Sequence, residues 1–270
     1  MQTNILRSIG LVTVGNAALG GRDVSAFWPG STLFRHYKHT DFLIARGGGE
    51  YIPVAPDPLT WFAKLKAMGC KGLRLHTAPM QQREGIGPQK ERMLVGMVGG
   101  GPRWLIEAVQ PARAEIWEGF DRLGDRDDPE QKIWRGAYLM LGASERQEDA
   151  DCDIAGADSD VRTALIAIEA LARDIPGAPF ADDFANAIDV LDGATPANPS
   201  LDFLHLTDLG ADARRLLAAS VQGWVFGAMG SWNDVGVEEG LSARYEETSE
   251  ALFLALQCAA TAVANSTFRA

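Results

Sequence analysis

Residues 251–264 read Ala-Leu-Phe-Leu-Ala-Leu-Gln-Cys-Ala-Ala-Thr-Ala-Val-Ala, and only Gln257 and Thr261 are polar. Ala and Leu are strong helix formers. A helix that is apolar on every side has to be covered on every side. Fully burying Leu252, Phe253, Leu254 and Leu256 would contribute roughly 6–12 kcal/mol before entropy costs. The net stability of a whole domain is about 5–15 kcal/mol. The pattern predicts a helix over Ser242–Asn265, with Arg244, Glu246, Glu247 and Glu250 facing water in its first turns, and the rest of the chain condensed around it.

Upstream of this helix, from about residue 150, the chain keeps a helical texture. Gln147–Asp160 is acidic, carries no basic residue and is expected to be an exposed connection. Asp158 can cap a helix over Ser159–Arg173 with Leu165, Ile168 and Leu171 inward. Phe180–Leu191 is a second helix, and Thr195–Ser200 a Pro/Asn linker. Asp212 is expected to cap a third helix that runs to about Met229 on the stripe Leu216, Leu217, Val221, Trp224 and Val225. Gly223 and Gly227 would then share a face and permit close approach of another backbone.

Before residue 150 the texture is of short strands. Arg7 followed by Ile9–Leu19 loosely resembles a secretion signal. Gly10, Gly15 and Asn16 interrupt it and no small-x-small cleavage site follows, so a strand over Leu11–Val14 is expected instead. Ser25–Phe34, broken by Pro29-Gly30, suggests two short strands. Asp41–Ala45 is another, ended by Gly47-Gly48-Gly49. Asp57 and Pro58 open a helix with Leu59, Phe62 and Leu65 on one face, closed by Gly69. Gly72–His76 reads as a strand and residues 78–92 as a surface loop. Met93–Val98 and Arg103–Val109 are expected to form a hairpin across Gly99–Pro102.

Ile116-Trp117-Glu118-Gly119 is echoed by Ile133-Trp134-Arg135-Gly136, which predicts an antiparallel hairpin with Glu118 facing Arg135. Glu, Arg and Ala also permit a helix over Ala112–Leu123, but the echo favours the hairpin. The fold class is therefore α+β: an antiparallel β-rich part over 1–150 with one early helix, packed with a group of about four helices over 151–270. The two parts either form one domain or leave a cleft between lobes.

At 270 residues with 46% hydrophobic content, the chain can bury a sizeable core. A net charge of −11 argues against non-specific nucleic-acid binding and against docking on an anionic membrane. No window reaches 18 consecutive apolar residues, so no membrane span is expected. Three separated cysteines without a Cys-x-x-Cys pair fit a reducing, cytoplasmic setting. Cys258 is expected to pack as a small hydrophobe.

Motifs with chemical meaning are few. No Gly-x-Ser-x-Gly elbow, Walker A loop or His-Glu-x-x-His is present. Gly96–Gly101 has the wrong spacing for a dinucleotide loop. His36, His39 and Asp41 have metal-ligand chemistry, but positions 36 and 39 of a strand point to opposite faces. His76 and His205 each end a short Leu-containing run and could act as bases, His205 beside Thr207 and Asp208. Trp232, Asn233 and Asp234 place an indole, an amide and a carboxylate in one turn, which can orient a ligand or cap helix ends. Arg103 and Trp104 beside a Gly-rich turn are the second candidate. The expectation is a protein that binds a partner protein or a small molecule, without a cofactor and with homo-oligomerisation left open. The alternative is a hydrolase-type enzyme using His and Asp groups with or without a metal.

Overall fold

The computed structural model describes residues 1–46, 49–80, 90–97, 100–144, 153–194, 198–227 and 229–269. The chain opens with a helix, α1 (Thr3–Leu19), where a strand was expected over Leu11–Val14. Val12, Thr13 and Val14 prefer strands by a few tenths of a kcal/mol each. Burial overrides that preference: Ile5, Leu6, Ile9, Leu11, Val12 and Val14 are all in the core. At roughly 1.5–3 kcal/mol apiece, they outweigh the propensity deficit several times over. Gly10 and Gly15 also belong to this packing. A Cβ at Gly10 would lie 2.7 Å from Leu33, and one at Gly15 would lie 2.5 Å from Leu73 and 2.8 Å from Phe62.

The strands follow as β1 (Tyr37–Arg46), β2 (Glu50–Ala55), β3 (Gly72–Ala78), β4 (Arg103–Val109), β5 (Ala114–Leu123) and β6 (Trp134–Ser144). They form one sheet in the order β2-β1-β6-β5-β4-β3. The β1–β6 pair is parallel and the other pairs are antiparallel. Between β2 and β3 lies α2 (Pro58–Ala67), whose N-cap Asp57 accepts the Thr60 N–H at 2.8 Å. The short helix α3 (Glu91–Leu94) precedes β4.

Several local expectations change. Ser25–Phe34 forms turns and a 3-10 helix over Thr32–Phe34 rather than two strands. Met93 and Leu94 lie in α3, and β4 pairs with β3 and β5, so the expected hairpin from Met93 to Val109 does not form. Val98 and Gly99 lie outside the described residues, as does most of the loop expected over 78–92. The β5–β6 hairpin does form, but its register puts Glu118 opposite Leu139 and Arg135 opposite Arg122. Glu118 instead holds Arg103.

The helical part comprises α4 (Ile154–Asp174), α5 (Ala181–Leu191), α6 (Ala211–Gln222) and α7 (Ser242–Asn265). Asp153, not Asp158, caps α4, accepting the Gly156 N–H at 2.9 Å. Part of the expected acidic connection is therefore helical, while 145–152 lie outside the described residues. Asp212 falls in the first turn of α6 rather than at its N-cap, and Gly223 ends that helix. Gly227 thus shares no helix face with Gly223. Gly223 is still a close approach, since a Cβ there would lie 3.0 Å from Leu165. Phe203-Leu204-His205 lies in a 3-10 helix over Pro199–Leu206, not at a strand end.

Helix α7 spans the expected bounds and packs on α4, α6, α1 and β3. One hydrophobic cluster joins Ile9, Phe62, Leu73 and Trp117 to Leu165, Phe184, Leu217 and Leu252. The cover over α7 is not complete. Ala251, Leu254 and Cys258 form an exposed stripe, with Leu254 52% exposed. Cys258 therefore does not pack as a core residue. The stripe was invisible as a polar face because it is made of Ala, Leu and Cys.

β3 is an edge strand, and its outward backbone groups at Leu73 and Leu75 are closed by two asparagines. Asn16 of α1 accepts the Leu73 N–H at 2.6 Å and donates to the Leu73 carbonyl at 2.9 Å. Asn265 of α7 does the same at Leu75, at 2.6 and 3.0 Å. Each side-chain amide thus replaces one rung of a neighbouring strand.

Candidate functional site

The turn before α7 is built from Ser231, Trp232, Asn233 and Asp234, and each of these side chains makes a hydrogen bond within the protein. Trp232 is fully buried, and its indole N–H donates to Ser249 at 2.7 Å. The ring stacks on Tyr245 with centroids 5.2 Å apart and meets the Phe184 ring edge-on at 5.2 Å. Asp234 closes a capping box with Ser231 and accepts the Gly230 N–H at 2.6 Å. Asn233 receives Arg92 Nη1 at 2.8 Å and donates to the Arg92 carbonyl at 2.9 Å. This turn therefore clamps α3 against α7, where Arg92 also reaches Glu246 at 3.0 Å. Lys90 and Arg92 hold the Glu246 carboxyl below its usual range. Asp234→Ala removes the acceptor for the Gly230 and Ser231 N–H groups and is expected to cost about 0.5–1.5 kcal/mol, the net worth of a hydrogen bond, seen as a lower urea midpoint at unchanged slope.

The second candidate pair, Arg103 and Trp104, borders a cleft of about 1110 Å³. Arg103 makes a bidentate pair with Glu118 at 2.7 and 2.6 Å. The opposite wall comes from the first turns of α1 and the entry to β1. There Arg7, only 1% exposed, projects from α1 into a polar network. Its Nη2 donates to Asp121 Oδ1 at 2.7 Å and its Nε to the Tyr138 hydroxyl at 3.2 Å. Tyr37 donates to the other Asp121 oxygen at 2.9 Å, and its ring lies 4.4 Å from the guanidinium carbon. Among the described residues, Arg7 Nη1 has no hydrogen-bond partner.

Burial disfavours the charged guanidinium of Arg7, but Tyr138, Asp121 and Tyr37 more than offset it and raise its pKa. Burial also pushes the Tyr37 phenol well above its ordinary range, against the opposing pull of Arg7. The cleft thus holds a permanent cation, a neutral phenol and a carboxylate that accepts one hydrogen bond at each oxygen. Trp104, Trp134, Leu33 and Met97 supply apolar wall.

The histidines do not converge. His36 lines the cleft, with Nδ1 3.2 Å from the Gln131 carbonyl. His39 and Asp41 lie on β1, and among the described residues no group of three or more His, Cys, Asp or Glu side chains could hold a metal. His205 faces the Asp202 carbonyl at 2.5 Å, while Asp208 is taken by Arg22 at 2.6 Å and Thr207 by the Leu204 carbonyl. Among the described residues, His76 alone of the histidines meets a carboxylate, the buried Glu107, at 2.9 Å.

Arg7, Tyr37, Asp121 and Tyr138 were not singled out by sequence. The one usable signal was Arg7, a lone charge inside an apolar run. It becomes a buried cation once that run is recognised as helix. No protein-family model, curated protein or solved structure matches the chain.

Proposed function

We propose that the protein binds a small molecule in the cleft between α1, β1 and the β4–β5–β6 part of the sheet. The observation that carries this reading is the Arg7–Asp121–Tyr37–Tyr138 network at the wall of a roughly 1110 Å³ cavity. Ligand sites of this size combine apolar walls with a few fixed polar groups. A buried charge in such a wall is costly to keep unless a specific arrangement requires it.

The test uses the indole ¹⁵N signals of the seven tryptophans during a metabolite screen. A ligand in the cleft shifts Trp104 and Trp134, leaves buried Trp232 unmoved, and raises the melting temperature in a concentration-dependent way. A chemically broad library that perturbs neither Trp104 nor Trp134 would overturn the reading.

A second reading, catalysis, rests on the His76–Glu107 pair. A histidine held by a buried carboxylate has the orientation a general base needs. The pair is not part of the cleft wall, and among the described residues no Ser, Thr or Cys is hydrogen-bonded to His76, so binding is the reading the geometry supports better.

A further inference from the structure

We infer that the cleft takes a ligand through an oxyanion head group, a carboxylate or a phosphoryl group, seated at the N-terminus of α1. This inference rests on the small-molecule reading above and specifies the ligand class. Helix α1 runs 17 residues, and its N-cap Gln2 supplies no side-chain cap. The first N–H groups of a helix have no intrahelical acceptor. Asn4 covers the Ile5 N–H, while Thr3 and Asn4 have no bonded N–H among the described residues. These groups border the cleft and carry the positive end of the helix dipole.

The independent observation is Arg7, one turn further along the same face as Thr3. It is buried in the cleft wall, and Nη1 has no acceptor among the described residues. An unmatched donor on a buried guanidinium is expensive unless something fills it. Tyr138 adds to the donor surplus: its oxygen accepts from Arg7, which leaves its own O–H proton to give. Asp121 accepts from Arg7 Nη2 and from Tyr37, one bond at each oxygen, and neither oxygen is bonded to Arg7 Nη1. Arg35, exposed at the same cleft, has no ion pair among the described residues. Donors without acceptors, around one helix terminus, select a group that only accepts. Oxyanions do this with charge-assisted bonds, and an arginine fork fits either head geometry. The aromatic walls, Trp104 and Trp134, suit an organic body behind the head.

The experiment titrates the full chain with phenyl phosphate, benzoate and benzamide, reading Trp104 and Trp134 indole shifts. The three probes share one ring and differ in the head. The expected result is saturable binding of at least one acid, with benzamide at least tenfold weaker. Whichever acid binds more tightly identifies the head group. Tyr138→Phe, which keeps the Arg7–Asp121 pair, should weaken the acid at least tenfold. Arg7→Lys should do the same where circular dichroism shows it folded. Equal binding of benzamide and the acids, or an unchanged affinity in Tyr138→Phe, overturns the oxyanion inference and leaves the small-molecule reading standing. If no acid or amide in this set or in the wider screen moves Trp104 or Trp134, both fall.

Discussion

A chain ending at Ala251 is expected to show no cooperative unfolding transition. The cut removes Leu252, Phe253, Leu256 and Val263, all fully buried. At roughly 1.5–3 kcal/mol each, their burial amounts to about 6–12 kcal/mol, against a net stability of about 5–15 kcal/mol for a domain of ordinary size. The loss does not end with those side chains. It strips the faces of α4, α6, α1 and β3 that pack on α7, exposing apolar surface that the remaining chain has no element to cover. Urea titration followed by far- and near-ultraviolet circular dichroism is the measurement. The truncated chain should keep some helix signal, lose its near-ultraviolet bands and unfold without a sigmoid. A transition matching the full chain in midpoint and slope would overturn the central role of α7. The exposed stripe provides the internal control. Leu254→Glu should alter stability by no more than about 0.5 kcal/mol, whereas Leu252→Ala, two residues away, should cost about 2–5 kcal/mol.

The contrast between α7 and α1 shows what sequence pattern could and could not convey. The bounds of α7 were legible because Ala and Leu dominate it and no competing signal exists. α2 was legible because Asp57 and Pro58 are a local capping device that acts without tertiary help. α1 was not, because Val12, Thr13 and Val14 and two glycines all speak against helix locally. Only the close approach of Leu33, Leu73 and Phe62 explains the glycines, and those contacts come from distant sequence. The β5–β6 hairpin was legible from the Trp-Gly echo, but not its register: the connection over 124–133 puts Leu123 opposite Trp134, and a bulge between Ile116 and Trp117 shifts only the pairs beyond it. With the register goes the ion pair: Glu118 meets Arg103 from the neighbouring strand.

The site was less legible for the same reason. Trp232, Asn233 and Asp234 drew attention because they are adjacent, yet adjacency is what capping needs. A cleft needs groups from separate elements. Arg7, Tyr37, Asp121 and Tyr138 come from α1, β1, β5 and β6, and no spacing rule links them. Arg103 and Trp104, chosen for their place beside a Gly-rich turn, line this cleft.

Replacing Asn265 by Leu is expected to destabilise the fold by about 2–6 kcal/mol. The side chain is nearly isosteric, so the change leaves packing in place and removes both hydrogen bonds to Leu75. Its N–H and C=O would then be buried beneath α7 without partners, at about 1–3 kcal/mol each. The paired substitution Asn16→Leu does the same at Leu73 and also removes the bond to Thr267. Urea midpoints give the loss, and native-state amide exchange locates it: the Leu75 amide should lose protection in Asn265→Leu, and the Leu73 amide in Asn16→Leu. The freed edge is also a template for pairing with another chain, so light scattering should rise at concentrations where the parent is clear. Stability within 0.5 kcal/mol of the parent, as expected for an ordinary surface change, together with unchanged exchange at Leu75, would mean that the asparagines merely accompany the helix–edge packing. In that case α7 would be held on the sheet by apolar contact alone.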